Sequence, residues 1–544
     1  MNLSWLWKVR DSRLYPLFLS VSSALLLGAG WPILPFPFLL FLGFIPLLYL
    51  EEEYAHKDKW GGLFGYAYLS FLIWNLLTTW WVINSTVSGA IMAFLANSFL
   101  MCIPFLMFSY TKRITNEWVG YVSLPAYWIA FEYLHMNWDL SWPWLTLGNG
   151  FASAPILVQW YEYTGVFGGS LWILAVNILL FLLIRNYMQE RNYAYWPPIL
   201  LFALPIIFSI ITYFNYTDQG TDVEIALIQP NVDPFTEKFE GSPKFVSYEK
   251  QLNDMIELAN MVITDNTSFV LFPETALARG YWENQLEEYP DISHLGQLVK
   301  LYPHLNIIVG IDSYVYYPDK KSAPATARFS EQIGYHDICN TALFISEKSK
   351  LETYHKSKLV PGVEQMPFPA LFKILEPLAI NLGGSTGTLG KQDYRSVFTN
   401  VSGISAAPVV CYESIYGEFV ADFVRNGPGF IAIITNDGWW GNTPGHKQHL
   451  AYASLRAIET RKSIARSANT GISGFINQRG DIVRQTEWWK MDAISGVVKS
   501  NKIITFYVQW GDYIGKFCGI LSVIIIGFTL YNTASKKWLL PKKN

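Results

Sequence analysis

Ala407-Pro408-Val409-Val410-Cys411-Tyr412-Glu413-Ser414 is apolar and β-branched up to a cysteine, then turns at once to an aromatic and a carboxylate. A buried strand that delivers a nucleophile to the edge of its sheet has this pattern. A second apolar run, Phe269-Val270-Leu271-Phe272-Pro273-Glu274-Thr275, ends in an acid, and Tyr354-His355-Lys356-Ser357-Lys358-Leu359-Val360-Pro361 carries a lysine. A lone cysteine at a strand end is more often a small buried hydrophobe than a nucleophile. The order of acid after strand, lysine, then cysteine after strand favours the nucleophile.

The chemistry needs these residue types. A free thiol is mostly protonated at neutral pH, and the thiolate is what attacks esters and amides. Glu274 is suited to take the thiol proton on attack and return it to a leaving group. Burial at a Phe-Pro-Glu strand end is expected to raise its pKa. Lys356 would supply fixed positive charge to the thiolate and the tetrahedral oxyanion, together with the backbone N–H of Tyr412. Glu364 or Glu413 would orient the lysine; an ordinary ion pair is the competing reading for each.

This site lies in a chain with the composition of a membrane protein. Its 544 residues are 51% hydrophobic and only 15% charged, against about a quarter charged in ordinary globular domains. A formal net charge of −3 gives no reason to expect nucleic acid. Cys102, Cys339, Cys411 and Cys518 are too few for a disulfide framework, and Cys339 and Cys411 are expected as reduced thiols. A helix crosses the hydrocarbon core with roughly 20 apolar residues. Such segments are predicted near 14–30, 33–50, 61–83, 89–110, 119–134, 165–184 and 195–214, with an eighth near 514–531. The fifth is interrupted by Pro125 and Glu132, and the first reads as a retained anchor.

Loop charges set the orientation. Lys8, Arg10 and Arg13, Lys57 and Lys59, Lys112 and Arg113, Arg185 and Arg191, and Lys536, Lys537, Lys542 and Lys543 fall in alternate loops, while the loops near Trp31, 84–88 and 135–164 have no Lys or Arg. Positive loops stay cytoplasmic, so both termini are expected inside and the segment between helices seven and eight outside. Trp138, Trp142 and Trp144 in the loop after His135 mark either an interfacial belt or a re-entrant piece that shapes an opening toward lipid. Glu132 and Asp139 beside them should face protein or water.

The outside segment, 215–505, changes to short strands alternating with polar helices, an α/β pattern. Strands are predicted at 223–228, 268–272, 306–311, 341–345, 407–410 and 430–435, and helices at 245–263, 292–301, 419–425 and 446–465. Stretches 316–336 and 375–397 lack periodicity. The second, with Gly383, Gly384, Gly387 and Gly390, is a mobile lid or a plain surface loop. His446-Lys447-Gln448-His449 reads as helix-start polarity, since a zinc protease needs H-E-x-x-H. Arg456, Glu459 and Lys462 at i,i+3 spacing read as surface pairs. Trp439 and Trp440, on a turn-rich loop, read as substrate or membrane contacts.

The motifs Phe272-Pro273-Glu274-Thr275-Ala276, K-x-x-L-V-P-x-x-E from Lys356 to Glu364, Val410-Cys411-Tyr412-Glu413, and the T-N-D-G-W-W-G run from Thr435 with its following QH…R…E helix are joined by Trp142-Pro143-Trp144-Leu145. In this order they resemble the apolipoprotein N-acyltransferases of bacterial inner membranes, membrane-bound members of the carbon–nitrogen hydrolase (nitrilase) superfamily with its Glu-Lys-Cys triad. The resemblance implies a bundle of eight transmembrane helices (1–214 and 506–544) and a periplasmic α-β-β-α sandwich (215–505). It implies a Glu274, Lys356 and Cys411 triad supported by Glu364, Tyr412 and Glu413, with Trp142, Trp144, Trp439 and Trp440 as substrate or lid contacts. It further implies a phospholipid acyl donor, a diacylglyceryl-apolipoprotein acceptor, a thioester intermediate, no metal or soluble cofactor, and a monomer. Gly362-Val363 and Lys358 depart from the family's usual residues; Lys356 is the lysine that aligns. The competing functions are a membrane-tethered amidase or nitrilase acting on a soluble C–N bond, and a non-enzymatic transporter or receptor.

Overall fold

Long apolar runs become helices in a membrane because a helix satisfies its own backbone N–H and C=O groups. The computed structural model describes residues 12, 14–32, 34, 36–55, 59–347, 350–368 and 388–539. Among these, five helices are long and apolar enough to cross a membrane, at Trp60–Asn84, Val87–Ile114, Tyr161–Met188, Trp196–Asn215 and Tyr513–Lys536. A shorter apolar helix spans Tyr15–Ala29, and Glu117–His135 is continuous through Pro125. Lys8, Arg10, Arg13, Lys57, Lys542 and Lys543 of the basic loops, and Gly383, Gly384 and Gly387 of the glycine-rich stretch, lie outside the described residues.

The apolar segment expected as one helix at 33–50 is divided. It forms Pro37–Leu39, Leu40–Gly43 and Ile45–Ala55. The cause is a side chain inserted into the helical ladder. Phe44 N–H donates to Asn177 Oδ1 at 2.9 Å, and Asn177 Nδ2 donates to the Leu40 carbonyl at 2.8 Å. Asn177 thus takes both halves of the bond that Phe44 and Leu40 would have shared.

The chain divides into two units. One comprises Met1–Trp80, Ser88–Phe214 and Asp512–Asn544; the other comprises Trp81–Val87 and Asn215–Gly511. In the first, the Trp142 loop folds inward as a short 3₁₀ turn, Pro143–Leu145, with Pro143, Trp144 and Leu145 buried. Glu132 holds the chain beyond it, since its Oε1 accepts from Leu147 N at 2.8 Å and Trp128 Nε1 at 3.0 Å.

The second unit is built on two sheets. Its strands are β1 (Thr221–Gln229), β2 (Thr267–Leu271), β3 (Leu277–Trp282), β4 (Asn306–Tyr317), β5 (Arg328–Ser330), β6 (Gly334–Ser346), β7 (Glu352–His355), β8 (Phe398–Thr399), β9 (Ser405–Val410), β10 (Phe430–Thr435), β11 (Ile464–Ala468), β12 (Gly474–Ile476), β13 (Ile482–Gln485) and β14 (Asp492–Ser500). One sheet runs β14-β1-β2-β4-β6-β5, with β3 on β4 and β7 on β6; the other runs β13-β12-β11-β10-β9-β8. Their inner faces meet, with Phe269 of β2 against Phe430 of β10 at 5.2 Å between ring centres. Helices Tyr248–Val262 and Pro290–Leu301 bury their apolar stripes on the first sheet, and Gly417–Arg425 and Pro444–Thr460 pack on the second. Pro408 is tolerated within β9 because β8 pairs only Ser405 and Ala406, leaving an open edge beside the proline.

One reading of this region is refined and another corrected. The stretch at 316–336, which lacks periodicity in the sequence, is partly strand: β4 and β6 continue their antiparallel pairing out to Tyr317 and Tyr335, and β5 pairs with β6. Arg456, Glu459 and Lys462 are not surface residues. All three are fully buried; Arg456 forks onto Glu459 at 2.6 and 2.8 Å, and Lys462 donates to Asn501. Helical spacing reports which side chains are neighbours, not whether the face they share is covered.

Candidate active site

Parallel strands send their carboxyl ends to one edge, where the chain leaves the sheet with unpaired polar groups. Glu274 follows β2 and Cys411 follows β9, one from each sheet, and Lys356 follows β7. The structure brings the three together. Lys356 Nζ donates to Glu274 Oε1 at 2.9 Å and to Glu364 Oε1 at 2.8 Å, and the Cys411 thiol lies close enough to feel the charges of both Glu274 and Lys356. Lys356 is only 1% exposed, Glu274 4% and Cys411 7%.

Backbone strain and close approach fix the geometry. Cys411 has φ +51 and the residue after Glu274, Thr275, has φ +48, a left-handed region that side chains rarely adopt. Gly310 of β4 lies under the Pro273–Thr275 turn. A Cβ there would stand 2.6 Å from Glu274 Cα and closer still to Thr275 N, so only glycine admits the turn at this height. Two further groups complete the carboxylate's shell. Asn340 Nδ2 donates to Oε1 at 2.8 Å and Asn436 N–H to Oε2 at 3.0 Å.

Glu274 corrects the expectation of a raised pKa. Burial does push it up, but Lys356, Asn340 and the thiol outweigh burial, and its pKa lies below the usual carboxylate value. Burial alone would lower Lys356; Glu274 and Glu364 overcome it and hold the ammonium well above its ordinary range. Burial pushes the Cys411 thiol up, Glu274 adds to the rise, and Lys356 opposes it. The resting state is therefore an ionised Glu274, a charged Lys356 and a neutral thiol.

Of the two acids considered for orienting the lysine, Glu364 does so. Its other oxygen accepts from Val360 N at 2.9 Å. Glu413 instead accepts from Val410 N (2.8 Å), Tyr354 Oη (2.7 Å) and Ser357 N (2.6 Å), tying the loop after Lys356 to the turn after Cys411. Burial raises its pKa to about 6. Lys358 Nζ lies 4.7 Å from the centre of the Tyr416 ring. The Tyr412 ring packs on Tyr416 at 5.3 Å. Trp439 is half-buried among Phe235 and Phe239, and Trp440 lies between Trp81 and His449. Trp142 and Trp144 belong to the helical unit.

Several residues here were not legible as functional. Lys238 is buried, donates to Thr275 Oγ1 at 2.7 Å and to the Glu274 carbonyl at 3.4 Å, and has its pKa lowered by burial to about 8. His449, read as helix-start polarity, is fully buried beside Cys411, while His446 stacks on Trp488 with ring centres 3.7 Å apart. All four cysteines are unpaired. Among the described residues no group of His, Cys, Asp and Glu has metal-binding geometry.

Residues 23–179 match the family described as the apolipoprotein N-acyltransferase N-terminal domain, and residues 224–506 match the carbon–nitrogen hydrolase family. The chain is 30% identical to an apolipoprotein N-acyltransferase of Chlorobaculum tepidum, covering 94% of this chain and 96% of that one. A Thermotoga maritima protein of the same name is 25% identical over 97% of each. Among solved structures, Saccharomyces cerevisiae Nit3, a member of branch 10 of the nitrilase superfamily, aligns with 52% of this chain and 92% of its own at 15% identity and a TM-score of 0.35. With the hydrolase match spanning over half of its residues and a full-length relative at 30% identity, the chain belongs to the apolipoprotein N-acyltransferase family of the carbon–nitrogen hydrolase superfamily.

Proposed function

We propose that the chain moves a fatty acyl group from a membrane phospholipid, through a thioester on Cys411, to the N-terminal α-amino group of a diacylglyceryl-cysteine apolipoprotein. The observation that carries this reading is the buried Glu274–Lys356–Glu364 ion group, beside which the equally buried Cys411 thiol feels the charges of Glu274 and Lys356. As sulfur attacks the ester carbonyl, Glu274 takes the thiol proton. The oxyanion is held by Lys356 Nζ and the Tyr412 N–H. Collapse breaks the C–O bond, the lysophospholipid oxygen takes the proton from Glu274, and the acyl chain stays on sulfur. In the second half, the amine attacks the thioester, Glu274 takes one amine proton, the amide forms, and the proton returns to the departing sulfur. No metal or soluble cofactor enters these steps.

The same reading carries a topology: eight crossings of a bacterial inner membrane, both termini cytoplasmic, and 215–505 in the periplasm. The alternation of basic and uncharged loops supports it. Both substrates are lipid-anchored, which suits Trp142, Trp144, Trp439 and Trp440 as contacts with acyl chains.

The test is mass spectrometry of the intact protein in phospholipid micelles. A fatty acyl adduct that hydroxylamine removes is expected on wild type and absent from Cys411→Ala. Adding a diacylglyceryl-cysteine peptide should move the adduct to the peptide's N-terminus. Release of free fatty acid with an unmodified peptide, or no adduct at all, would refute the transfer; turnover of a soluble amide instead would point to an amidase.

A further inference from the structure

The carbonyl of Cys411 and the N–H of Tyr412 belong to one peptide group, and the carbonyl side is held by two donors. Ser414 Oγ donates to Cys411 O at 2.7 Å. His449 Nε2 lies 3.1 Å from the same oxygen and 2.9 Å from Ser414 Oγ. The hydroxyl proton is spent on the carbonyl, so Ser414 Oγ faces the ring as an acceptor. Both neighbours of Nε2 are then acceptors, and Nε2 carries the proton. On the ring's far side Nδ1 stands 3.0 Å from Asp437 Oδ1 and 3.2 Å from Arg466 Nη2, and Arg466 Nη2 donates to Asp437 Oδ2 at 2.6 Å. Asp437, His449 and Arg466 are fully buried. They sit on three separate elements: the turn after β10, the helix Pro444–Thr460, and β11. Nothing in the transfer steps above uses them.

We propose that Ser414 and His449 polarise the Cys411–Tyr412 peptide so that its N–H binds the reaction's oxyanion more strongly, with Asp437 and Arg466 fixing the ring that does so. This rests on the reading that the Tyr412 N–H faces the oxyanion. Hydrogen bonds in a chain reinforce one another by about 10–30% per bond in a low-dielectric interior. Losing a whole oxyanion donor slows acyl transfer about 10²–10³-fold. Losing one of these two side-chain donors is therefore worth about 2- to 8-fold. The same two bonds pin Cys411 in its left-handed conformation, but that role acts on every reaction of the sulfur, whereas peptide polarisation acts only where an oxyanion forms.

Two reactions of the one sulfur separate the roles. In acylation by p-nitrophenyl butyrate the S–C bond forms, the thiol proton goes to Glu274 and p-nitrophenolate leaves, through an oxyanion. In alkylation by iodoacetamide sulfur displaces iodide, with no oxyanion. Both are followed on the full-length protein in detergent, the first as a burst of p-nitrophenolate. Ser414→Ala and His449→Phe are expected to lower the acylation rate constant about 2- to 8-fold with KM unchanged, and to leave alkylation within experimental scatter of wild type. His449→Gln, whose amide N–H can reach the carbonyl, should restore acylation to within about twofold. An equal fall in both reactions, or no fall in acylation, overturns the proposal. If His449→Phe does not fold, Ser414→Ala carries the test alone. A wild-type protein that p-nitrophenyl butyrate acylates and phospholipid never does would refute the phospholipid reaction while leaving this comparison intact.

Discussion

Replacing Lys356 by methionine keeps most of the side chain's length and removes the ammonium that bridges Glu274 and Glu364 at 2.9 and 2.8 Å. Breaking a buried pair by deleting one partner costs about 3–5 kcal/mol, because the other charge is left without compensation. Part of that is recovered here. Burial already presses the Glu274 pKa upward and is outweighed chiefly by Lys356, so in the variant the carboxyl should rise above its ordinary value and take a proton. The signs then oppose. In wild type the folded pKa is depressed, and the stability Glu274 contributes is present above the unfolded value of about 4.3 and lost as pH falls through the folded value. In Lys356→Met the folded pKa is raised, and the contribution is present below about pH 4.3 and lost as pH rises through the folded value. The stability gap between the two proteins should therefore widen from pH 5 to pH 8. Catalysis suffers twice, since a protonated Glu274 cannot accept the thiol proton, a role worth about 10²–10⁴-fold, and the oxyanion loses a donor worth about 10²–10³-fold. These effects overlap, so a loss of at least about 10³-fold in thioester formation at pH 7 is expected. Thermal unfolding at both pH values and timed mass spectrometry of the acyl adduct measure it. Acylation within tenfold of wild type, or a stability gap equal at pH 5 and pH 8, would refute the reasoning.

Gly310→Ala should push the Pro273–Thr275 turn and cost about 1–3 kcal/mol as overpacking does; because it moves Glu274, thioester formation should fall by more than the unfolded fraction explains. Glu413→Gln removes a carboxyl whose pKa is raised to about 6. Wild type should carry a contribution present below about pH 4.3 and lost as pH rises through 6, worth about 2 kcal/mol, and the variant's unfolding temperature should lack that slope. Arg456→Met takes the guanidinium away from the fully buried Glu459, for about 3–5 kcal/mol, while Arg456→Met with Glu459→Leu should be markedly more stable than the single variant. A single variant as stable as the double one would remove the pair from the account of this helix.

What the sequence carried well was position along strands. Glu274 and Cys411 each end an apolar β-branched run, and the structure places both at the sheet edge because a side chain just beyond a strand has nowhere else to go. Contacts made across the sandwich left weaker traces. The Asn340 side chain and the backbone N–H of Asn436 complete the Glu274 shell from elements far apart in the chain, and no local pattern marks either group as a carboxylate partner. His449 lies one turn into a helix where two histidines three apart look like end polarity. The burial of Arg456 and Lys462 follows from what covers the helix, which i,i+3 spacing cannot report. Even where the right group is legible, only one of the forces on it is: a Phe-Pro-Glu strand end implies burial of Glu274, but the direction of its pKa depends on an ammonium 82 positions away. In the helical unit, the division of 33–50 comes from Asn177, again a distant side chain.

Under the proposed mechanism, these forces keep the sulfur protonated until substrate arrives. Ionising Cys411 in place would set a thiolate beside an ionised Glu274, with Lys356 shared between Glu274 and Glu364, and burial charges the full desolvation of the new anion. That penalty is what raises the thiol pKa. It is relieved only when the negative charge leaves sulfur for an incoming carbonyl oxygen, because proton transfer to Glu274 then removes one charge as the oxyanion adds one. The cluster's net charge is unchanged through the proposed step, and Lys356, released from Glu274 as that carboxylate is neutralised, can turn its donor to the oxyanion. A site built on a free thiolate would show the opposite: iodoacetamide alkylation of Cys411 near neutral pH as fast as that of an activated thiol, and indifferent to Glu274→Gln. Slow alkylation that rises tenfold per pH unit through neutrality is the expected result, and a plateau below pH 7 would show that the sulfur rests as the anion.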